Sequence, residues 1–335
     1  MKAAYLMRHG EAKNAFEIRD TEKPTITPSQ ILIKVEAFGL NFADVMARLG
    51  LYRDAPPLPS VLGYDVVGRV EEVGDNVKDF VVGDRVTALT RFGGYAEYAI
   101  GEQGVVHKIS ETLSPGAATA LSTQYSTAYF LAFNMANLHR EDRILIHAAA
   151  GGVGTGLVQM AKFKGCEIFG TCGSEEKIEF IKGMGVDHPI NYRTRDFEDY
   201  LGDEKLDVIF DPIGGNSLKK GFRSLSAGGR IISYGLSSMN QAKSIFAKIK
   251  VLWQFGFYHP VQFLSRSRGI IGVNMLKLGE ERPEKLTRVM KEVIKMADAE
   301  ILQPHVGGEF QVEELAEAHA FLESRKSVGK IVVKW

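Results

Sequence analysis

At 335 residues the chain is long enough for about two domains, and 45% apolar with 24% charged residues lets it bury large cores. A formal net charge of zero, with no basic run, argues against a role on nucleic acid. Two cysteines exclude a disulfide framework, and no uncharged apolar run reaches the ~18 residues of a spanning helix.

Met1 to Arg8 reads as a strand rather than a charged and then apolar leader, so no secretory signal is expected. Residues 1–123 read as an irregular all-β, barrel-like domain. Ile31 to Val35 and Val66 to Gly74 are strands. Gly83-Asp84-Arg85-Val86 enters a third, and Tyr95 to Ala99 alternates through a fourth. Pro56, Pro57 and Pro59 mark a loop.

From residue 124 the rhythm changes to strand then helix. Ile144-Leu145-Ile146 is the first strand, and Thr155 to Lys162 continues as helix. Glu167 to Thr171, Pro189 to Tyr192, Asp207 to Asp211, Arg230 to Tyr234 and Ile270 to Asn274 follow as strands, with helices between. Six strands with helical crossovers make a doubly wound parallel sheet over residues 124–275. Cys166 and Cys172 fall on one strand, roughly 20 Å apart, too far for a disulfide; a reducing, cytoplasmic setting is expected. From 276 the chain reads as helix Glu284 to Ala297, helix Glu313 to Glu323 and a closing strand Lys330 to Val333, a tail that returns to the first domain.

Between the first strand and helix of the α/β region lies Ala149-Ala150-Gly151-Gly152-Val153-Gly154. Small residues there let the backbone approach a pyrophosphate, and the helix start points amide hydrogens at it. Ala149 replaces the first glycine of a strict GxGxxG, so this turn alone is also compatible with a tight connection that binds nothing. The second strand narrows the choice. It ends Gly170-Thr171-Cys172-Gly173-Ser174, without a carboxylate at the turn; Glu175 and Glu176 come later, in the helix. Gly173 leaves room for a 2′-phosphate, Ser174 can donate to it, Lys177 lies one turn on, and Tyr192 can cap the pocket. Two charge-assisted bonds at roughly 1.5–3 kcal/mol each correspond to about 10²–10⁴ in preference. NADPH rather than NADH is therefore expected.

Residues 241–267 are more apolar than one crossover helix needs, with Ile245, Phe246, Trp253, Phe255, Phe257 and Tyr258 among them. They read as a cover for the sheet, a subunit interface, a lid, or a membrane contact that Lys243, Lys248 and Lys250 would suit.

Several motifs together resemble the zinc-free quinone oxidoreductase branch of the medium-chain dehydrogenase/reductase family. They are Gly39-Leu40-Asn41-Phe42-Ala43-Asp44, Gly50-Leu51-Tyr52, Leu62-Gly63-Tyr64-Asp65 with Gly68, Val82 to Val86, and the glycine-rich turn. Asn41 to Tyr52, His188 to Tyr192 and the apolar insert are most similar to the synaptic-vesicle membrane protein (vesicle amine transport) group. The resemblance implies a GroES-like domain with a Rossmann domain, an active cleft between them, and a homodimer joined through the last Rossmann strands. Carried over by position, it implies cofactor contacts at Asn41, Asp44, Thr127, Ala150, Gly151, Gly152, Val153, Gly154, Gly173, Ser174, Lys177, Tyr192, Tyr234, Gly235, Val273, Asn274 and Lys330. Where zinc-dependent relatives carry a His-Glu pair this chain has Tyr64-Asp65, and the four-cysteine lobe is missing, so no metal is expected.

Without a Lewis acid, alcohol oxidation at neutral pH is disfavoured, and reduction of an electron-poor acceptor is the easier chemistry. The expected reaction is hydride transfer from NADPH to a quinone or an α,β-unsaturated carbonyl. Tyr52, Tyr64 and Asn41 are the candidate donors to the developing oxyanion. The alternative is a nucleotide-binding protein whose main role is lipid or membrane association.

Overall fold

The computed structural model describes residues 1–238 and 253–335. The chain forms two compact units. One comprises Met1–Ser126 with Leu276–Trp335, the other Thr127–Met275.

The first unit is built on β3 (Gln30–Leu40), where Ile31 and Ile33 face the core and Leu32, on the opposite face, is fully buried as well. Burying each such side chain contributes about 1.5–3 kcal/mol. Its seven-stranded sheet runs β15 (Val306–Gln311), β16 (Lys330–Lys334), β3, β5 (Asp65–Val73), β6 (Arg85–Leu89) and β8 (Val106–Lys108), with β7 (Tyr98–Glu102) also on β3. A three-stranded sheet, β2 (Phe16–Asp20), β1 (Lys2–Leu6) and β4 (Ser60–Val61), closes the other side. The chain from Leu276 thus contributes β15 and β16 to the sheet begun by the N-terminal residues.

Two features of this unit depart from the sequence reading. The region is not all-β: α1 (Phe42–Arg48) follows β3, started by Asp44, which accepts the Asn41 N–H at 2.8 Å. The alternation of Tyr95 to Ala99 is real but is divided between two sheets. Ala96 bridges Ala3, and only from Tyr98 does the chain pair with β3. Beyond α2 (Pro115–Ala120) the helix widens into a π-turn over Leu121–Tyr125 and again over Phe130–Met135, around α3 (Ser126–Tyr129). Such widened turns leave no mark in hydrophobic spacing.

The second unit is a six-stranded parallel sheet. Its order is β11 (His188–Asn191), β10 (Glu167–Cys172), β9 (Arg143–Ile146), β12 (Leu206–Asp211), β13 (Leu225–Ser233) and β14 (Gly269–Gly272). This 3-2-1-4-5-6 order is the doubly wound arrangement, with its switch point beside β9. The connecting helices are α4 (Gly152–Lys164), α5 (Glu175–Gly183), α6 (Phe197–Leu201) and α7 (Asn216–Ser224). Leu145, Phe169, Ile209, Phe222 and Ile231 are core residues between sheet and helices. Cys166 and Cys172 are both free and buried.

The apolar insert divides. Phe255, Tyr258 and Phe263 pack against the core of this unit, whereas Trp253, Phe257, Val261 and Leu264 are exposed. Lys243, Lys248 and Lys250 lie outside the described residues. No helix among the described residues is long and apolar enough to cross a membrane.

Candidate active site

In the second unit, the residues expected to meet a cofactor lie at or just beyond the C-terminal ends of the parallel strands, except Thr127 on α3. After β9 the chain turns through Ala148, which adopts a left-handed φ of 54°, and Gly151 N–H closes the turn on Ala148 O at 2.9 Å. Gly154 allows the helix to sit down on that turn: a Cβ there would lie 2.3 Å from Ala148 O. No side chain caps α4, so the amides of Gly152, Val153 and Gly154 point out of the helix start without an internal acceptor. A buried histidine supports the turn from below. His147 bridges Thr171 Oγ1 at 3.0 Å and Ser217 Oγ at 3.2 Å, and Thr171 Oγ1 also accepts the Ala148 N–H. Burial lowers the His147 pKa, which favours the neutral ring in this bridge.

At the end of β10, Ser174 caps α5 by accepting the Lys177 N–H. Lys177 is held below the ordinary lysine range, first by burial and also by the neighbouring Arg193 cation. Tyr192 closes over Gly173 so tightly that a Cβ at 173 would lie 2.5 Å from its hydroxyl. The space above Gly173, expected from the sequence to leave room for a 2′-phosphate, is instead filled by the Tyr192 ring and hydroxyl. Glu175 turns away to accept Asn191 Nδ2 at 2.5 Å. Lys177, the Arg193 cation and the Tyr192 phenol thus gather at this strand end, with Glu175 engaged by Asn191 and the exposed Glu176 adding a negative charge near Lys177. Uncapped helix amides and this basic pair fit a phosphorylated dinucleotide.

Tyr234 follows β13, its N–H bonded to Asp211 O, and burial raises its phenol. Gly235 packs on Pro212, and Val273 continues β14 by bonding Ser233 O. Asn274 is exposed beside it, and Thr127 is buried on α3.

In the first unit, Asn41, Asp44, Asp65 and Lys330 form one buried polar cluster. Lys330 Nζ lies 2.8 Å from Asp65 Oδ2 and 3.2 Å from Asn41 Oδ1, and Asn41 Nδ2 donates to Asp65 Oδ2 at 2.8 Å. Lys330, Asp65 and Asp44 are fully buried and Asn41 is 7% exposed. The Lys330 ammonium is thus committed inside the protein. Burial raises the Asp44 carboxyl to about 7, with Asp65 adding to the shift and Lys330 opposing it. Tyr95, its phenol pushed up by burial and by Asp44, reaches His319 at 3.2 Å.

Tyr52 and Tyr64 meet edge to face at 6.4 Å between ring centroids, and Tyr64 also packs on Phe92 at 5.0 Å. The two hydroxyls are neighbours, but their geometry falls short of a hydrogen bond. Tyr64 Oη has no partner among the described residues. Burial, then Asp44, raises Tyr64 far above the ordinary phenol range, so it is a neutral donor rather than an acid. The sequence reading does not single out Thr171, Ser217, Arg193, Asp65 or Tyr95 for a role. Of these, Asp65, inside a family motif, and Arg193, adjacent to Tyr192, carried a local signal. Among the described residues no group of three or more His, Cys, Asp or Glu could hold a metal ion.

Comparison with known proteins agrees with this architecture. Residues 27–111 match the alcohol dehydrogenase GroES-like domain, and 184–333 match the family described as zinc-binding dehydrogenase. The chain is 33% identical over 317 residues to the synaptic vesicle membrane protein VAT-1 homolog of Danio rerio, covering 93% of this chain but only 65% of that longer protein. It is 31% identical over 320 residues to the Homo sapiens quinone oxidoreductase, covering 94% of this chain and 92% of the relative. The human VAT-1 homolog-like structure superposes with a TM-score of 0.86 at 27% identity, covering 100% of this chain and 98% of that one. A mycobacterial protein solved as its NADPH complex gives 0.85 at 26% identity, with both chains fully covered. The chain belongs to the medium-chain dehydrogenase/reductase family, in the branch that holds the quinone oxidoreductases and the VAT-1 homologues.

Proposed function

We propose that this oxidoreductase uses NADPH, without a metal, to reduce a quinone or an α,β-unsaturated carbonyl. The observation that carries the reading is the end of β10, where Lys177, Arg193 and Tyr192 gather and Glu175 is tied to Asn191, so that Glu176 is the one nearby carboxylate set against two cations. Arg193 strengthens the NADPH assignment, since a second cation raises the gain from a 2′-phosphate. When bound, NADPH supplies the hydride. The uncapped amides of Gly152 to Gly154 would hold its pyrophosphate, and the ends of β13 and β14 would flank its remainder. Asn41, Tyr52 and Tyr64 act as neutral hydrogen-bond donors to the oxygen that gains charge, and solvent supplies the proton. Tyr64, buried and unpartnered, has the most to gain from such an acceptor.

Absorbance at 340 nm tests this, with NADPH against NADH over a panel of ortho- and para-quinones and short enones. Turnover with NADPH alone supports the assignment. Equal rates with both cofactors overturn the cofactor preference, and no oxidation of either overturns the reductase.

The free edge of β14, which pairs only with β13 among the described residues, suits a second copy of the chain, and a homodimer is part of this reading. A second reading rests on Trp253, Phe257, Val261 and Leu264, four exposed apolar side chains in one short stretch. These suit peripheral contact with a lipid surface. Sedimentation with anionic liposomes separates the two: binding lost in Phe257→Asp/Leu264→Asp supports the membrane reading, and no binding by the natural protein removes it. Free, buried cysteines accord with a cytoplasmic location.

A further inference from the structure

We infer that Asp65 and Lys330 are positioning residues that lock the Asn41 carboxamide in one orientation, so that its second N–H is a fixed donor to the substrate oxygen. The inference deepens the reductase reading and rests on it for the substrate. The lock itself stands on the geometry of the first unit alone.

The topology explains how residues 265 positions apart meet. β16 runs antiparallel to β3 with Ile331 opposite Leu40, which brings Lys330 beside Asn41. β5 runs antiparallel to β3 on its other side with Val66 opposite Phe38, which brings Asp65 beside Gly39. The end of β3 is therefore flanked by a cation from one strand and an anion from the other. Gly39 makes the space. A Cβ there would lie 2.0 Å from Asp65 Oδ1 and 2.1 Å from Lys330 Cε, so the ion pair occupies the volume that any side chain at 39 would need.

Asn41 is held at three points. Asp44 Oδ2 accepts its backbone N–H at 2.8 Å, Asp65 Oδ2 accepts from Nδ2 at 2.8 Å, and Lys330 Nζ donates to Oδ1 at 3.2 Å. An ammonium only donates and a carboxylate only accepts, so these partners admit one assignment of the amide oxygen and nitrogen. A flip would set Nδ2 against Lys330 and Oδ1 against Asp65, with both groups fully buried. The bond to Asp65 uses one of the two Nδ2 protons. The other has its direction fixed, and the ammonium on Oδ1 polarises the amide further. A preorganised donor of this kind needs no reorientation as charge develops, which is the condition for stabilising a transition state more than a ground state.

The test combines a structural readout with kinetics. Protein labelled with 15N-asparagine is compared with Lys330→Met and with Asp65→Asn/Lys330→Met, the Asn41 signals being assigned by Asn41→Ser. The double variant removes both charges together and leaves neither buried alone, so it keeps the test open should the single variant not fold. The expected result is a slowly exchanging Asn41 carboxamide in the natural protein. In the variants exchange should be at least tenfold faster, and kcat should fall about tenfold or more while the NADPH KM stays within twofold. Unchanged carboxamide exchange in the folded double variant overturns the lock. Faster exchange with unchanged kcat overturns the catalytic consequence. Should the natural protein reduce no acceptor, the reductase reading fails, while the exchange measurement still decides whether the carboxamide is locked.

Discussion

Asp44→Asn offers a direct measure of how the buried cluster is charged. Asp44 titrates at about 7 in the folded protein against 3.8 for an ordinary aspartate. The cause is burial first and the Asp65 charge second, only partly offset by the Asn41 N–H and by Lys330. A raised carboxyl pKa means that the folded chain holds a proton the unfolded chain has lost. Stability therefore falls as pH rises between about 4 and 7, and the decline flattens above that. At about 1.4 kcal/mol per tenfold, the full span corresponds to roughly 4 kcal/mol, of which about 2.5 kcal/mol falls between pH 5 and pH 8. Asparagine keeps an oxygen for the Asn41 N–H and carries no titrating proton, so Asp44→Asn should lose this slope. His319 works in the opposite sense. Its pKa is pushed down to about 3 by burial and by Arg48, so it favours the folded state as pH rises through 6.5; being common to both proteins, it cancels in their difference.

The assay is urea unfolding at pH 5, 6, 7 and 8, followed by fluorescence. The chain has two tryptophans, Trp253 in one unit and Trp335 in the other. In a Trp253→Phe background Trp335, which packs against the core of the first unit, reports on that unit alone. The variant should gain about 2.5 kcal/mol on its parent between pH 5 and pH 8. Parallel pH profiles for the two proteins would refute the argument, because Asp44 would then be ionised throughout.

Lys177→Ala should raise the NADPH KM at least tenfold and leave NADH nearly unchanged, consistent with loss of one charge-assisted phosphate contact; equal effects on both cofactors count against a 2′-phosphate site. Tyr64→Phe should lower kcat without altering NADPH binding measured by fluorescence titration, and unchanged turnover removes Tyr64 from the mechanism. Gly39→Ala should destabilise the first unit by about 1–3 kcal/mol through overpacking against Asp65 and Lys330, read by the same urea assay; a neutral effect would mean the ion pair is not packed against β3 as described.

Period and punctuation carried the α/β region. Ile144 to Ile146 and Val208 to Phe210 are short, β-branched apolar runs closely followed by glycines and a helix, which suits strands buried on both faces. The strand order follows from how such units wind, and glycine at 151 and 154 marks the turn before the structure is seen. These are local properties, set by the preferences of adjacent residues and by side chains returning at a regular interval.

The first unit shows the limit of that information. Tyr95 to Ala99 alternates as one strand should, but which sheet each half joins depends on β1 and β3, far away in the chain. The π-turn at 121–125 has no spacing signature, and neither has the one at 130–135 in the second unit. Asn41, Tyr52 and Tyr64 could be singled out by type and motif, yet nothing near Asn41 in the chain names Lys330 as its partner. What the sequence alone determined was therefore the class of fold and its Rossmann strands, because periodicity and turn chemistry are short-range. The tertiary structure alone decided that Asp65 and Lys330 are sealed around Asn41, and that Arg193 stands beside Lys177. Both depend on strands or loops folding back from elsewhere, and burial then sets the charge and orientation of the groups they bring together.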